Sequence, residues 1–291
     1  MYNNYIGGMI MKINLNLQSN YSLNSKGTVE DVLKEFSDFD IISIADHNSV
    51  KSCYEIPVEY RAKYINGLEA DATVEGYTFD YLCYGFDLNN VDNWVSKTFM
   101  TISQRQQKIF DKLVELCRNR NIELDMSAEY DPEQEYAHDA ILRMLPSEFK
   151  FQNQLAGSDD FYRKGTMDKN FPLYVDMSFL WPSLNELIDI IHSNGGLVFL
   201  AHPKRYKFDY KKALDLNKNI VDGIEISNNP ESPEEVEELY RYAMSNNLKV
   251  TYGTNYNGMK HKEKKAMYIK PQYEESILSW TNNYLILDYE R

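Results

Sequence analysis

The chain has 291 residues, 43% hydrophobic and 13% aromatic, which is ample for a large folded core and argues against disorder. Its net charge of −13 disfavours nucleic-acid polymers and acidic membrane faces, because their long-range field repels it. No apolar run approaches the roughly 18 residues needed to span a bilayer, and the opening Met1 to Ile10 reads as a loose extension without the marks of a signal peptide. Cys53, Cys83 and Cys117 lack metal-type spacing, which predicts reduced thiols and a cytoplasmic location.

In chain order, Ile13 to Leu17 predicts a first strand, and Thr28 opens a helix with Asp31 completing a capping box. Ile41 to Ala45, Tyr64 to Leu68 and Phe79 to Phe86 predict three further strands. From Val91 to about Leu180 the rhythm breaks. A long helix near Val91 to Asn121, another near Pro132 to Leu145 and an irregular stretch read as an insertion within one domain spanning 11–291. A helix then opens at Ser183, with Glu186 three residues on, and stops at Gly195-Gly196. Strands follow at Leu197 to Ala201, Gly223 to Ser227 and Leu248 to Tyr252. Between the last two, Ser232-Pro233-Glu234-Glu235 opens a strongly capped helix. The charged cluster His261 to Lys265 reads as a solvated loop. Strands alternating with helices imply βαβ units and a parallel sheet, open or closed into a barrel.

Function in such a sheet sits at the carboxyl ends of the strands. Polar residues fall there six times. Asn16, Gln18 and Ser19 close the first strand, and Asp46, His47 and Asn48 follow the second. Glu69 and Asp71 follow the third, and His202 follows Ala201 with Lys204 and Arg205 behind it. Glu225 and Asn228 lie on the next strand, and Asn255 and Asn257 follow the last. Six such clusters point to one shared site. Asp, His and Glu are ligand types for a divalent transition metal, which lowers the pKa of bound water and polarises a phosphoryl oxygen.

The order of these motifs resembles the polymerase and histidinol phosphatase (PHP) phosphoesterases from about Met11 to Gly258. Asn14-Leu15-Asn16-Leu17-Gln18-Ser19 resembles the family's Asp-Leu-His-x-His-Ser, and Ala45-Asp46-His47-Asn48 its Thr-Asp-His-Asn. Gly67-Leu68-Glu69 resembles Gly-x-Glu, whose carboxylate bridges two metals in the family. Ala201-His202-Pro203 matches Ala-His-Pro, Gly223-Ile224-Glu225 the later Gly-x-Glu, and Gly253-Thr254-Asn255-Tyr256-Asn257 stands at Gly-Ser-Asp-x-His. The resemblance implies an α/β fold, a distorted seven-stranded TIM-like (β/α) barrel with a helical insertion and a multi-metal site.

The departures are concerted. Asn14, Asn16, Gln18, Asn255 and Asn257 stand where the family has acids or histidines, and amides lack the charge or imidazole lone pair that binds a transition metal. One family site should therefore be empty, while Glu69, His138 and His202 match a second. The resemblance thus implies one divalent metal (zinc, manganese or iron) on those three residues, or none. His202 and Glu69 read as ligands or as hydrogen-bonded structural groups, and His138 as a ligand or an ordinary helix-surface histidine. Asp46 and His47 read as ligands or catalytic groups, or as members of a polar network with Asn16, Gln18, Asn255 and Asn257. Lys204 and Arg205 suit a phosphate, or belong to a solvated loop. His192 reads as structural.

Three functions stay open on this reading. The first is a pseudoenzyme that binds a small phosphorylated molecule, with Lys204, Arg205, Asn16, Gln18, Asn255 and Asn257 lining the pocket. The second is a one-metal phosphoesterase with Asp46, His47 and Arg205 as its catalytic groups. The third is a non-enzymatic interaction module.

Overall fold

The computed structural model describes residues 11–23, 25–206, 210–227, 232–258 and 269–285. The extension 1–10, Asn228 and the cluster His261 to Lys265 lie outside them. The chain forms two compact units. One comprises the stretch up to Ala70, Asp80–Asn93 and the stretch from Ile188 onward; the other comprises Asp71–Phe79 and Trp94–Leu187.

The strands are β1 (Ile13–Leu17), β2 (Ile41–Ile44), β3 (Gly67–Val74), β4 (Tyr77–Tyr84), β5 (Leu197–Leu200), β6 (Gly223–Ser227) and β7 (Lys249–Tyr252). Most are buried throughout, even β1 (Ile-Asn-Leu-Asn-Leu) and β6 (Gly-Ile-Glu-Ile-Ser), whose apolar and polar residues alternate. β1 pairs with β2 in parallel, and β3 to β7 form a five-stranded sheet in sequence order. Within that sheet β5, β6 and β7 run parallel while β4 is antiparallel to β5. Isolated parallel bridges join Leu17 to Tyr256, Ile42 to Tyr64 and His47 to Glu69. The fold is mixed α/β.

Two strands differ from expectation, the fourth by running Tyr77–Tyr84 in place of Phe79 to Phe86, and the third more widely. Tyr64 makes only a single bridge, and β3 begins at Gly67 and runs on to Val74. Glu75 (φ 50) and Gly76 (φ 76) then form a two-residue turn with both residues left-handed, the geometry that suits a tight hairpin into β4. Glu69 and Asp71 therefore lie inside a strand rather than after it.

The helices of the first unit follow their sequence signals. Thr28 and Asp31 form the capping box of α1 (Val29–Glu35). The unit also takes in the start of α2 (Leu88–Thr98), the end of α7 (Leu184–Ser193) and all of α8 (Tyr210–Asn217); at the other end of α7, Glu186 N donates to Ser183 Oγ at 3.2 Å. Ser232 and Glu235 form the capping box of α9 (Pro233–Ser245). The predicted elements end at Tyr252, whereas α10 (Pro271–Thr281) adds a core residue of large size. Its Trp280 lies 4.9 Å from the Phe199 ring and 5.5 Å from Tyr84, and its Nε1 donates to Val250 O at 2.9 Å. Tyr84 in turn donates through its hydroxyl to Leu15 O at 2.9 Å, tying β4 to β1 through the core.

In the second unit the long helix expected from Val91 to Asn121 is broken. Thr101 caps a new start with Gln104, separating α2 from α3 (Ile102–Asn119). The inner face of α3 buries Arg105, Gln106, Ile109, Phe110, Leu113 and Cys117. The helix predicted near Pro132 to Leu145 is shorter, α4 (Ala137–Met144), and Gln106 Oε1 accepts from its first N–H at 2.9 Å. α5 (Ser147–Gln152) and α6 (Ser158–Met167) complete the unit.

Candidate metal and ligand centre

Glu69 on β3 is fully buried, and three groups converge on its carboxylate. Gln18 Nε2 donates to Oε2 at 2.9 Å, His47 Nε2 lies 3.2 Å from the same oxygen, and His202 Nε2 lies 3.2 Å from Oε1. His202 Nε2 is also 3.2 Å from Asp80 Oδ2. Burial opposes the charge on Glu69, yet His47 and then His202 hold its pKa below the usual carboxylate range. Burial likewise opposes charge on His202, but its hydrogen bonds with Asp80 and Glu69 outweigh that and raise its pKa.

The backbone of His202 is itself unusual. It sits at φ 31, ψ 59, in the left-handed region just before Pro203, a combination that costs free energy. Its N–H donates to Glu225 Oε2 at 2.8 Å, which holds the turn and aims the ring inward. The other oxygen of Glu225 accepts from Asn16 Nδ2 at 3.1 Å.

The amides noted in the sequence act as strand-end ties. Gln18 Nε2 reaches Asn255 Oδ1 at 2.9 Å as well as Glu69. Asn14 Nδ2 donates to Thr254 Oγ1 at 2.8 Å, and its Oδ1 accepts from Thr254 N at 3.2 Å. Gly253 makes room for this approach, since a Cβ there would stand 2.3 Å from Asn16 Cβ. Gly253→Ala is therefore expected to cost about 1–3 kcal/mol of stability through overpacking. Urea unfolding checks this, and an unchanged midpoint would show that β1 yields freely.

Asp46 is saturated by hydroxyls and amides. Ser19 N and Ser19 Oγ donate to it at 2.7 Å each, and Ser22 Oγ at 2.8 Å. Burial raises its pKa against these bonds. Its lone pairs thus serve serines of the loops after β1 and β2, and not the Asn16, Gln18, Asn255 and Asn257 network expected of it. Lys204 is engaged at 2.6 Å with Glu238 and stacks 3.8 Å over Tyr210. Arg205 is half-buried and close enough for its charge to act on His202. Asn257 is half-buried, and its carbonyl accepts from Lys26 N at 3.2 Å. His192 pairs with Asp222 at 2.8 Å.

His138 lies in the second unit on α4, edge-on to Phe161 at 5.4 Å and Tyr162 at 5.0 Å. It is buried, not on a helix surface, and burial alone pushes its pKa down to about 3. The metal-suited triad among the described residues is Glu69, Asp80 and His202, whose donor atoms lie within 4.8 Å of one another. It takes Asp80 where the sequence pointed to His138.

Asp80 escaped the sequence reading for a definite reason. The carboxyl-end rule assumes parallel strands, but β4 is antiparallel to β5, so its first half lies at its neighbour's carboxyl end. Ala201 N donates to Asp80 O at 3.0 Å, which sets Asp80 directly beside His202. The available signal was a lone carboxylate in the apolar run Tyr77-Thr78-Phe79-Asp80-Tyr81-Leu82.

The triad fits a divalent ion. Bonds of 2.0–2.2 Å in tetrahedral geometry place donors about 3.3–3.5 Å apart, close to the 3.2 Å separations of His202 Nε2 from Glu69 and Asp80. Two polar atoms here, Asn16 Oδ1 and His202 Nδ1, are buried without a hydrogen-bond partner.

Neither a family model nor a curated protein matches the chain. Among solved structures it is similar to a provisional metal-dependent phosphoesterase from Bifidobacterium adolescentis, at 16% identity and TM-score 0.59, covering 92% of this chain and 96% of that one. It is also similar to an amidohydrolase from Chromobacterium violaceum with bound sulfate and no metal, at 17% identity and TM-score 0.61, covering 91% and 96%. At such identities the likeness speaks to architecture alone: this chain shares the α/β fold of these two proteins.

Proposed function

We propose that this is a PHP-type barrel protein that binds a small phosphorylated molecule and holds one divalent cation, at Glu69, Asp80 and His202, in place of a multi-metal hydrolytic centre. One observation carries the reading. Gln18 Nε2 stands 2.9 Å from both Glu69 Oε2 and Asn255 Oδ1, so an uncharged donor occupies the place between two acceptors where a second cation would need their lone pairs. The bridges joining β1 to the segment after β7, and the segment after β2 to β3, support closure into a barrel. The sulfate in the Chromobacterium violaceum protein, a tetrahedral oxyanion like phosphate, supports the ligand class.

When bound, zinc, manganese or iron would supply Lewis acidity toward a phosphoryl oxygen. The chain's own groups then divide as follows. Arg205 offers a cationic fork for the phosphate oxygens, and Asn16 and Gln18 hold Glu225 and Glu69 in place. His47, the more exposed of the two histidines on Glu69, is the group best placed to exchange a proton with a ligand. The buried, unpaired Cys53, Cys83 and Cys117 support a reducing, cytoplasmic location.

Metal content measured by plasma mass spectrometry, on protein purified without chelator or nickel, is expected to be one ion per chain. Gln18→His combined with Asn255→Asp is expected to raise it toward two. No bound ion after soaking, or two in the unaltered chain, would sink the reading. The observation favouring catalysis is the 3.2 Å triad geometry. Turnover of phosphomonoesters at an ordinary rate of roughly 1 s⁻¹ or more, abolished in Glu69→Gln, would establish a one-metal phosphoesterase instead of a binder.

A further inference from the structure

The second unit buries a cation two of whose nitrogens have no hydrogen-bond acceptor among the described residues. Arg105, in the first turn of α3, is only 6% exposed, and its Nε and Nη1 are both buried without a hydrogen-bond partner. Those two nitrogens carry three N–H bonds, and leaving such donors dry is costly unless something accepts from them. The guanidinium lies 5.1 Å over the Trp181 ring, which fixes its plane without using any of its N–H groups. Asp71 is near enough to act on its charge, as are the Tyr136 and Tyr162 hydroxyls, yet none bonds Nε or Nη1.

A second buried nitrogen lies in the same unit. His138 Nε2 also lacks a partner, and the His138 ring packs 5.0 Å from Tyr162, one of the residues facing Arg105. His138 does not add to the Arg105 site, because burial is all that acts on it. Arg163 does not add to this, because it faces Asp159 at 3.6 Å. A planar cation held on an aromatic face with open N–H donors is the arrangement that recognises phosphate and carboxylate groups.

We propose that the second unit contains an oxyanion-binding site anchored by the Arg105 guanidinium over Trp181, for the phosphate or carboxylate of a small molecule. The inference does not rest on the reading of the Glu69 centre, because all its residues belong to the second unit.

The test is titration of the full chain with inorganic phosphate and, separately, with succinate. Calorimetry and the tryptophan emission of Trp181 provide two independent readouts. Saturable phosphate binding is expected, and Arg105→Met, which keeps the packing on Trp181, should weaken it by about 10- to 100-fold. The emission change should vanish in Trp181→Phe. A tighter response to succinate than to phosphate would identify the group as a carboxylate. Should Arg105→Met fail to fold, Arg105→Lys keeps the charge but loses the fork, and weaker binding is again expected. Equal phosphate and succinate affinities in wild type and both Arg105 variants would overturn the inference, as would an emission change that survives Trp181→Phe. Binding lost in Glu69→Gln but kept in Arg105→Met would put the oxyanion at the Glu69 centre, leaving that reading intact and this one refuted.

Discussion

Glu69→Leu is expected to lower the unfolding free energy by about 3–5 kcal/mol, the range for removing one partner from a buried charge network. The leucine fills similar space, so the loss is electrostatic. Gln18 Nε2, His47 Nε2 and His202 Nε2 all lose their shared acceptor at once. His202 keeps Asp80, but at a residue that is 1% exposed it loses one of the two hydrogen bonds that raise its pKa against burial. Glu69→Gln keeps one acceptor oxygen and is expected to cost less, about 1–3 kcal/mol. Urea titration at fixed pH with an unchanged m-value distinguishes the two. A leucine variant within 1 kcal/mol of wild type would mean that Gln18 and the histidines find other acceptors, and that Glu69 does not organise the centre.

The second large effect is an acid sensitivity located in His138. Burial puts its folded-state pKa at about 3, and no charge among the described residues offsets that. Around it stand Phe161, Tyr162 and Gly165, all uncharged at neutral pH. Below about pH 6.5 the unfolded chain takes up a proton that the folded chain refuses, so stability falls as pH falls. The loss between pH 7.5 and pH 5 is expected to be about 2 kcal/mol, approaching about 5 kcal/mol near pH 3. In His138→Phe this contribution should disappear, leaving a shallower acid limb in denaturation midpoints recorded from pH 7.5 to pH 4. Parallel acid limbs for variant and wild type would show that His138 is solvated or charged in the native state.

Much of the first unit was legible because local signals and tertiary burial agree there. Thr28 with Asp31 and Ser232 with Glu235 are reciprocal caps whose partners sit three residues apart, and both form. Strands β1, β6 and β7 carry apolar residues at every second position, the period of a strand. What sequence pattern could not reach depends on long-range pairing. The direction of β4 is set by the hairpin at Glu75-Gly76, and that direction decides whether Asp80 faces the centre or its far side. Within the insertion, the break at Thr101 competes with an otherwise unbroken helical period, and the cap prevails. Among the candidate site residues, Glu69, His202, Asn16, Gln18, Asn255 and His47 are bound into one hydrogen-bonded centre. Lys204 and Asp46 are committed to structural partners. Glu225 was visible as a strand carboxylate, but its grip on the His202 N–H follows from a left-handed residue that no local pattern announces.

The amide ties bear on how the protein is made in a cell. In many metalloproteins the ion is part of the folding reaction, so a chain synthesised when zinc or manganese is scarce stays unfolded and is degraded. Here Gln18 links Glu69 to Asn255, Asn16 holds Glu225, and Asn14 is fastened to Thr254, all with groups the ribosome supplies. Assembly of the strand ends is thereby uncoupled from metal homeostasis. Under the proposed function, the polypeptide is expected to fold under starvation for transition metals and to take up its ligand afterwards.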